Sequence, residues 1–117
     1  MRDFRKYEVW KLAHDFVINI YKTSGHFPKT EMYGLTSQIR RAASSIPINF
    51  SEGCGRNTDT EFVRFIHIAL GSAHEVEYIL QLCYDLKYLN EDNYSELNTK
   101  VNLIKRMLFS LEQKIKA

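Results

Sequence analysis

Apolar residues recur every three or four positions along most of the chain, which is the spacing of an amphipathic α-helix. The pattern predicts four helices, at about residues 6–24, 35–53, 59–89 and 91–116. Only the segment from Gly25 to Gly34 is a longer connection, and no segment alternates as a strand does. Four helices with mostly short links predict an all-α protein, an antiparallel four-helix bundle that spans residues 1–117 as a single domain.

The second predicted helix contains a proline in its interior. The apolar spacing continues on both sides of it, at Leu35, Ile39, Ala42, Ile46 and Phe50. The sequence therefore predicts one helix that bends at Pro47 rather than ending there. A polar stripe runs beside the apolar one, at Gln38, Arg41, Ser45, Asn49 and Glu52.

The third helix has two apolar stripes, more than one neighbouring helix requires. Glu75 interrupts the second stripe, close to Ile79 and Leu82. A charge at the margin of a core needs a partner, because an unpaired buried charge costs several kcal/mol. We therefore expect a partly buried ion pair between Arg41 and Glu75, with Ser45, Asn49 or Ser72 adding hydrogen bonds.

Capping signals mark the last two helices. Thr58 and Glu61 have the spacing of a capping box, and Asn90 precedes two acidic residues. The fourth helix has the most regular seam of the chain, with apolar positions alternating by three and four. These positions are Tyr94, Leu97, Val101, Ile104, Leu108, Leu111 and Ile115.

Composition narrows the class of protein. The chain has 117 residues, of which 44% are hydrophobic, enough for one core. Its 16 basic and 14 acidic residues leave a formal net charge of +2, much less basic than a dedicated nucleic-acid binder. Cys54 and Cys83 are isolated in the sequence, which indicates a reducing compartment. The N-terminal segment is charged, unlike a signal peptide, and no apolar run is long enough to span a membrane. These features predict a cytoplasmic protein without a membrane segment.

Catalytic and metal-binding patterns are weak. The histidines, His14, His26, His67 and His74, lack the Glu-x-x-His spacing of di-iron bundles. Nucleophiles are candidates by residue type only, at Ser44, Ser45, Ser51 and Cys54, and none lies in a known catalytic motif. No phosphate-binding or dinucleotide-binding loop is present. We expect neither an enzyme nor a cofactor.

Basic residues near the proline leave a second possibility open. Arg40, Arg56 and Lys29 are candidate contacts to nucleic-acid phosphate. The alternative is that Arg41 pairs inward while Arg40 points to solvent.

The segment QIRRAASSIPINFSEGCGR, from Gln38 to Arg56, closely resembles the signature of the 23S rRNA intervening-sequence proteins. The likeness extends over nearly the whole chain, through Trp10-Lys11-Leu12-Ala13, Tyr33-Gly34-Leu35-Thr36, and Gly71-Ser72 with Glu75. That family consists of small bacterial four-helix bundles. It is similar in turn to the accessory protein of diversity-generating retroelements, a pentameric barrel that works with nucleic acid and a reverse transcriptase.

The resemblance implies a homopentamer with an assembly or adaptor role, whose partner is RNA or a nucleic-acid-processing protein. The alternative is a protein that binds RNA or DNA directly through a basic face of the oligomer. Basic side chains that converge on one face favour direct binding, whereas dispersed ones favour the adaptor.

Overall fold

The apolar stripes of four α-helices meet in one core. The computed structural model describes residues 1–117, with α1 at Glu8–Ser24, α2 at Leu35–Cys54, α3 at Asp59–Asp85 and α4 at Glu91–Lys116. Short 3₁₀ helices lie at Phe4–Lys6 and Lys29–Glu31, and there is no strand. The predicted all-α four-helix bundle is confirmed. None of the helices combines the length and apolar character that a membrane crossing requires.

Each helix packs against two neighbours, which arranges the four in a square. α1 and α3 both contact α2 and α4, whereas α1 and α3 lie diagonally across the core, as do α2 and α4. The surface between α1 and α2 is therefore opposite the surface between α3 and α4. Each of those two surfaces carries a groove.

Aromatic side chains fill one end of the core. The Phe50 and Phe62 rings pack edge to face with centroids 5.6 Å apart, and the Tyr7 ring lies 5.2 Å from Phe50. Phe50 and Phe62 are almost completely buried. Burying one such side chain contributes about 1.5–3 kcal/mol. These contacts attach the N-terminal segment, through Tyr7, to the contact between α2 and α3.

Side chains define where the helices begin. The Thr58 hydroxyl accepts from the Glu61 amide at 3.1 Å, and Asn90 Oδ1 accepts from the Asn93 amide at 2.8 Å, so both predicted caps form. The Glu61 carboxylate pairs with Arg64 at 3.0 Å, which differs from the reciprocal bond of a capping box. An unpredicted cap begins α2, where Glu31 Oε1 accepts from the Leu35 amide at 3.1 Å.

The third helix ends earlier than its apolar pattern predicts. α3 stops at Asp85, because Lys87 adopts a left-handed backbone conformation with φ of 66°. The Tyr88 amide donates to the Cys83 carbonyl at 2.8 Å and the Lys87 amide to the Tyr84 carbonyl at 2.9 Å. These two bonds form a Schellman motif, which satisfies the last carbonyls of a helix. The predicted end at residue 89 is wrong, because no glycine or proline marks this turn.

The predicted continuity of α2 agrees with the structure. Pro47 lies inside Leu35–Cys54, and its side chain is buried. Downstream, the Ser51 hydroxyl donates to the Pro47 carbonyl at 2.7 Å.

The turn after α3 gives the first prediction. Glycine adopts the left-handed conformation without the penalty of roughly 1–2 kcal/mol that a β-carbon brings. We expect Lys87→Gly to raise the free energy of unfolding by about 1 kcal/mol, measured by urea denaturation. Lys87→Ala is the control and should leave stability nearly unchanged. A less stable Lys87→Gly protein would contradict the left-handed turn.

Two glycines give opposite expectations for the same substitution. A β-carbon added to buried Gly53 would lie 2.7 Å from the Phe65 Cβ. A β-carbon added to Gly71 would have no neighbouring atom within 4 Å. Gly53→Ala should destabilise the fold by about 1–3 kcal/mol through overpacking. Gly71→Ala should stabilise it by about 0.5–1 kcal/mol, since alanine favours an exposed helix interior. Thermal unfolding of both variants checks this contrast, and equal shifts would refute it.

Candidate functional site

The first candidate for a nucleic-acid contact, Arg40, is half-buried and hydrogen-bonded to other residues of the chain. Its Nε donates to the Ser24 hydroxyl at 2.8 Å and its Nη2 to the Tyr21 carbonyl at 3.2 Å. The guanidinium also lies 4.7 Å from the centroid of the Tyr21 ring. Arg40 therefore links α2 to the C-terminal end of α1, where the Tyr21 carbonyl also accepts from the Gly25 amide at 3.2 Å. The expectation that it points to solvent is wrong.

The other two candidates lie at different ends of α2. Lys29 is exposed in the connection before this helix, and Arg56 is exposed just after it. A helix of this length separates them by about 30 Å. Arg56 stacks 4.8 Å from the Phe65 ring and lies 3.5 Å from the Glu52 carboxylate. The structure does not bring Arg40, Arg56 and Lys29 together in one basic patch.

The predicted ion pair between Arg41 and Glu75 does not form within the chain. Both side chains are exposed, and neither takes part in an ion pair. The hydroxyls of Ser45 and Ser72 meet at 2.8 Å, and Asn49 donates to Ser45 at 2.8 Å. The predicted polar contact between α2 and α3 is therefore made by neutral groups. Arg41 and Glu75 lie at its outer edge, where water solvates both charges and pairing gains little.

An apolar groove runs between α1 and α2, with a volume of about 430 Å³. No acidic or basic residue other than a histidine lines it. Its lining residues are Phe4, Trp10, His14, Val17, Ser44, Pro47, Ile48 and Ser51. Trp10 stacks on the His14 ring with centroids 4.9 Å apart and donates through Nε1 to the Ser51 hydroxyl at 2.9 Å. Ile48 is 59% exposed, more than any other isoleucine of the chain.

A second groove lies on the opposite surface, between α3 and α4, with a volume of about 510 Å³. Its lining residues are Leu70, His74, Lys105, Arg106, Phe109 and Ser110. Lys105 Nζ donates to the Glu77 carboxylate at 2.7 Å, and this hydrogen bond holds the pKa of Glu77 below its ordinary value. Glu77 is therefore ionised at neutral pH and neutralises Lys105.

A buried carboxylate beside this groove was not predicted from the sequence. Glu112 is only 3% exposed, although its position in α4 gives no sign of burial. The His67 imidazole contacts its Oε1, which accepts no hydrogen bond, and Gln113 Nε2 donates to Oε2 at 3.1 Å.

The candidate nucleophiles are engaged or protonated. The Ser44 hydroxyl donates to the Arg41 carbonyl at 3.2 Å, and the Ser51 hydroxyl to the Pro47 carbonyl. Burial raises the pKa of the Cys54 thiol to about 11, so it is not a thiolate at neutral pH. Among the histidine, cysteine and carboxylate side chains, no group of three or more is placed to hold a metal ion.

Comparisons with known proteins identify a family and a fold. The family model described as "23S rRNA-intervening sequence protein" matches residues 5–110. A crystal structure of a protein of unknown function from the S23 ribosomal protein family of Bacteroides thetaiotaomicron has the same fold, with a TM-score of 0.84. That protein is 24% identical, and the alignment covers 90% of this chain and 95% of the other. No curated protein matches the chain.

Adjacent arginines in α2 provide a matched pair of variants. Arg40→Ala removes two hydrogen bonds from a charged donor and should lower the free energy of unfolding by about 1–3 kcal/mol. Arg41→Ala removes an exposed side chain and should change it by less than about 0.5 kcal/mol. Urea denaturation of both variants measures the difference. A larger loss for Arg41→Ala would restore the buried pair with Glu75.

Proposed function

Because the chain belongs to the 23S rRNA-intervening sequence protein family, we propose that it is a non-catalytic module that assembles with copies of itself. Its proposed role is that of an adaptor. The proposed assembly is a homopentamer, the number of subunits that the family resemblance implies. The observation that carries this proposal is the uncharged apolar groove between α1 and α2.

The α1–α2 surface has the composition of a protein contact. Around the groove, Ile48 projects from α2, and Ile18 and Tyr21 are exposed on α1. Interface cores are depleted in charged residues and enriched in aromatic ones, which Trp10 and Phe4 supply here. A patch of this kind is costly to leave in water and is expected to be covered. A copy of the same chain supplies apolar surface for this purpose, because eight other large apolar side chains are also exposed.

Symmetry restricts how a pentamer could use this groove. A two-fold contact pairs a surface with itself and gives even numbers of subunits, whereas a five-membered ring needs two different surfaces. In the proposed ring, the α1–α2 groove of one copy therefore receives another surface of the next copy.

The placement of basic side chains favours an adaptor over a direct nucleic-acid binder. Arg40 is committed to the end of α1 and Arg56 to Phe65 and Glu52, and Lys29 lies at the opposite end of α2 from Arg56. A nucleic-acid interface instead needs several cations on one face, because phosphate contacts provide most of its affinity. We therefore propose that the partner of the adaptor is a nucleic-acid-processing protein, rather than a nucleic acid bound by these three residues.

The test is a charge placed in the apolar groove. Ile48→Glu should convert the assembly to single chains, because association would bury an unpaired carboxylate. Multi-angle light scattering at micromolar concentration measures the particle mass, and circular dichroism checks that the helices remain. Met32→Glu is the matched control, since Met32 is equally exposed but lies outside the groove.

The particle masses of the wild type and of Ile48→Glu decide whether the proposal holds. A wild-type particle of five chains that Ile48→Glu alone dissociates supports the proposal. A wild-type protein that is monomeric at this concentration ends it. An assembly that resists Ile48→Glu would move the contact to another surface.

A further inference from the structure

The α3–α4 groove exposes an aromatic face beside a cation. Phe109 is 55% exposed on α4, and Leu70 of α3 lines the same groove. Arg106 and Ser110 lie within one helical turn of Phe109, so all three project toward the same side of α4. The groove volume of about 510 Å³ falls within the roughly 300–1,000 Å³ typical of small-molecule sites.

Charges around the groove leave one cation without a partner. Glu77 neutralises Lys105 at 2.7 Å and lies 3.9 Å from His74. Glu112 is buried and contacts the His67 imidazole. Arg106 is exposed and takes part in none of the ion pairs of the chain. The groove therefore combines an apolar wall with a single uncompensated guanidinium.

We propose that this groove binds a nucleoside phosphate, with the base stacked on Phe109 and the phosphate held by Arg106. A guanidinium presents a planar pair of N–H donors that matches two phosphate oxygens. The Ser110 hydroxyl is a further donor on the same side of the helix. Leu70 supplies apolar contact for the edge of the base.

The number of free cations sets the size of the ligand. An extended strand is held by several phosphate contacts, each of which requires a basic side chain. One uncompensated arginine matches one phosphate group, so the site fits a single nucleotide unit. That unit is either a free nucleotide or one residue of a single strand, which the experiment distinguishes. The site is distinct from the α1–α2 groove, because the two grooves lie on opposite surfaces of the chain.

Calorimetric titration of the full-length protein tests the site with four probes. These are adenosine monophosphate, adenosine, inorganic phosphate and a single-stranded oligoadenylate. We expect adenosine monophosphate to bind more tightly than adenosine or phosphate alone. Phe109→Ala should weaken it roughly 5- to 150-fold, the range for losing one stacked base. Arg106→Gln should weaken it about tenfold or more, because it removes a charged donor.

Two variants on α4 serve as controls. Lys114→Gln removes an exposed cation outside the groove, and Leu103→Ala removes an exposed apolar side chain outside it. Both should bind adenosine monophosphate as the wild type does. Phe109→Tyr keeps the aromatic face and should retain most of the affinity.

The affinities for the four probes distinguish a free nucleotide from one residue of a single strand. Equal affinity for the monophosphate and the oligoadenylate supports a free nucleotide, whereas tighter binding of the oligoadenylate with the same sensitivity to Phe109→Ala supports a strand. Binding of inorganic phosphate as tight as that of the monophosphate would overturn the proposal. So would the absence of binding by all probes, or light scattering in which Phe109→Ala changes the particle mass and identifies the groove as a contact between copies.

Discussion

The close packing of α2 against α3 is the constraint on which the rest of the structure depends. Small residues make it possible: Ala43, Ala69 and Ala73 have no exposed surface, and Gly53 leaves no room for a β-carbon against Phe65. A single neutral hydrogen bond between Ser45 and Ser72 spans the outer edge of this contact. Since the two helices approach so closely, no groove of comparable size opens between them. The open surfaces lie instead on the two flanks, where α1 and α4 pack.

The two flanking grooves differ in chemistry as well as in position. The α1–α2 groove is uncharged and centred on the proline of α2, which supports its assignment to contact with another protein chain. The α3–α4 groove has a similar apolar wall but borders a free guanidinium, which favours an anionic aromatic ligand. Because they lie on opposite sides of a square bundle, an occupant of one groove does not obstruct the other groove of the same chain. An adaptor requires this property, since it must hold one partner without losing the other.

The sequence predicts the helices well because each extends over many turns, and the apolar period accumulates with every turn. The same pattern fails at Lys87, where the chain turns without glycine or proline. The sequence predicts less well which side chains of a helix contact its neighbours. Arg40 and Arg41 are adjacent, yet only Arg40 forms hydrogen bonds to another helix. Its partners, Ser24 and Tyr21, lie on another helix, and the local sequence does not encode how α1 and α2 are aligned. The grooves depend on spacing between helices and could not be predicted, apart from the apolar residues that line them.

Glu31 connects two parts of the chain that are far apart in sequence. One carboxylate oxygen accepts from the Leu35 amide, and the other accepts from the Tyr88 hydroxyl at 2.9 Å. The first residues of α2 and the turn after α3 are therefore fastened by one side chain. Native-state hydrogen exchange proceeds through cooperative units of this kind. The segment 25–35 and the turn 86–90 are thus expected to open together, as one subglobal unit at this end of the bundle, while the aromatic core at the other end stays closed.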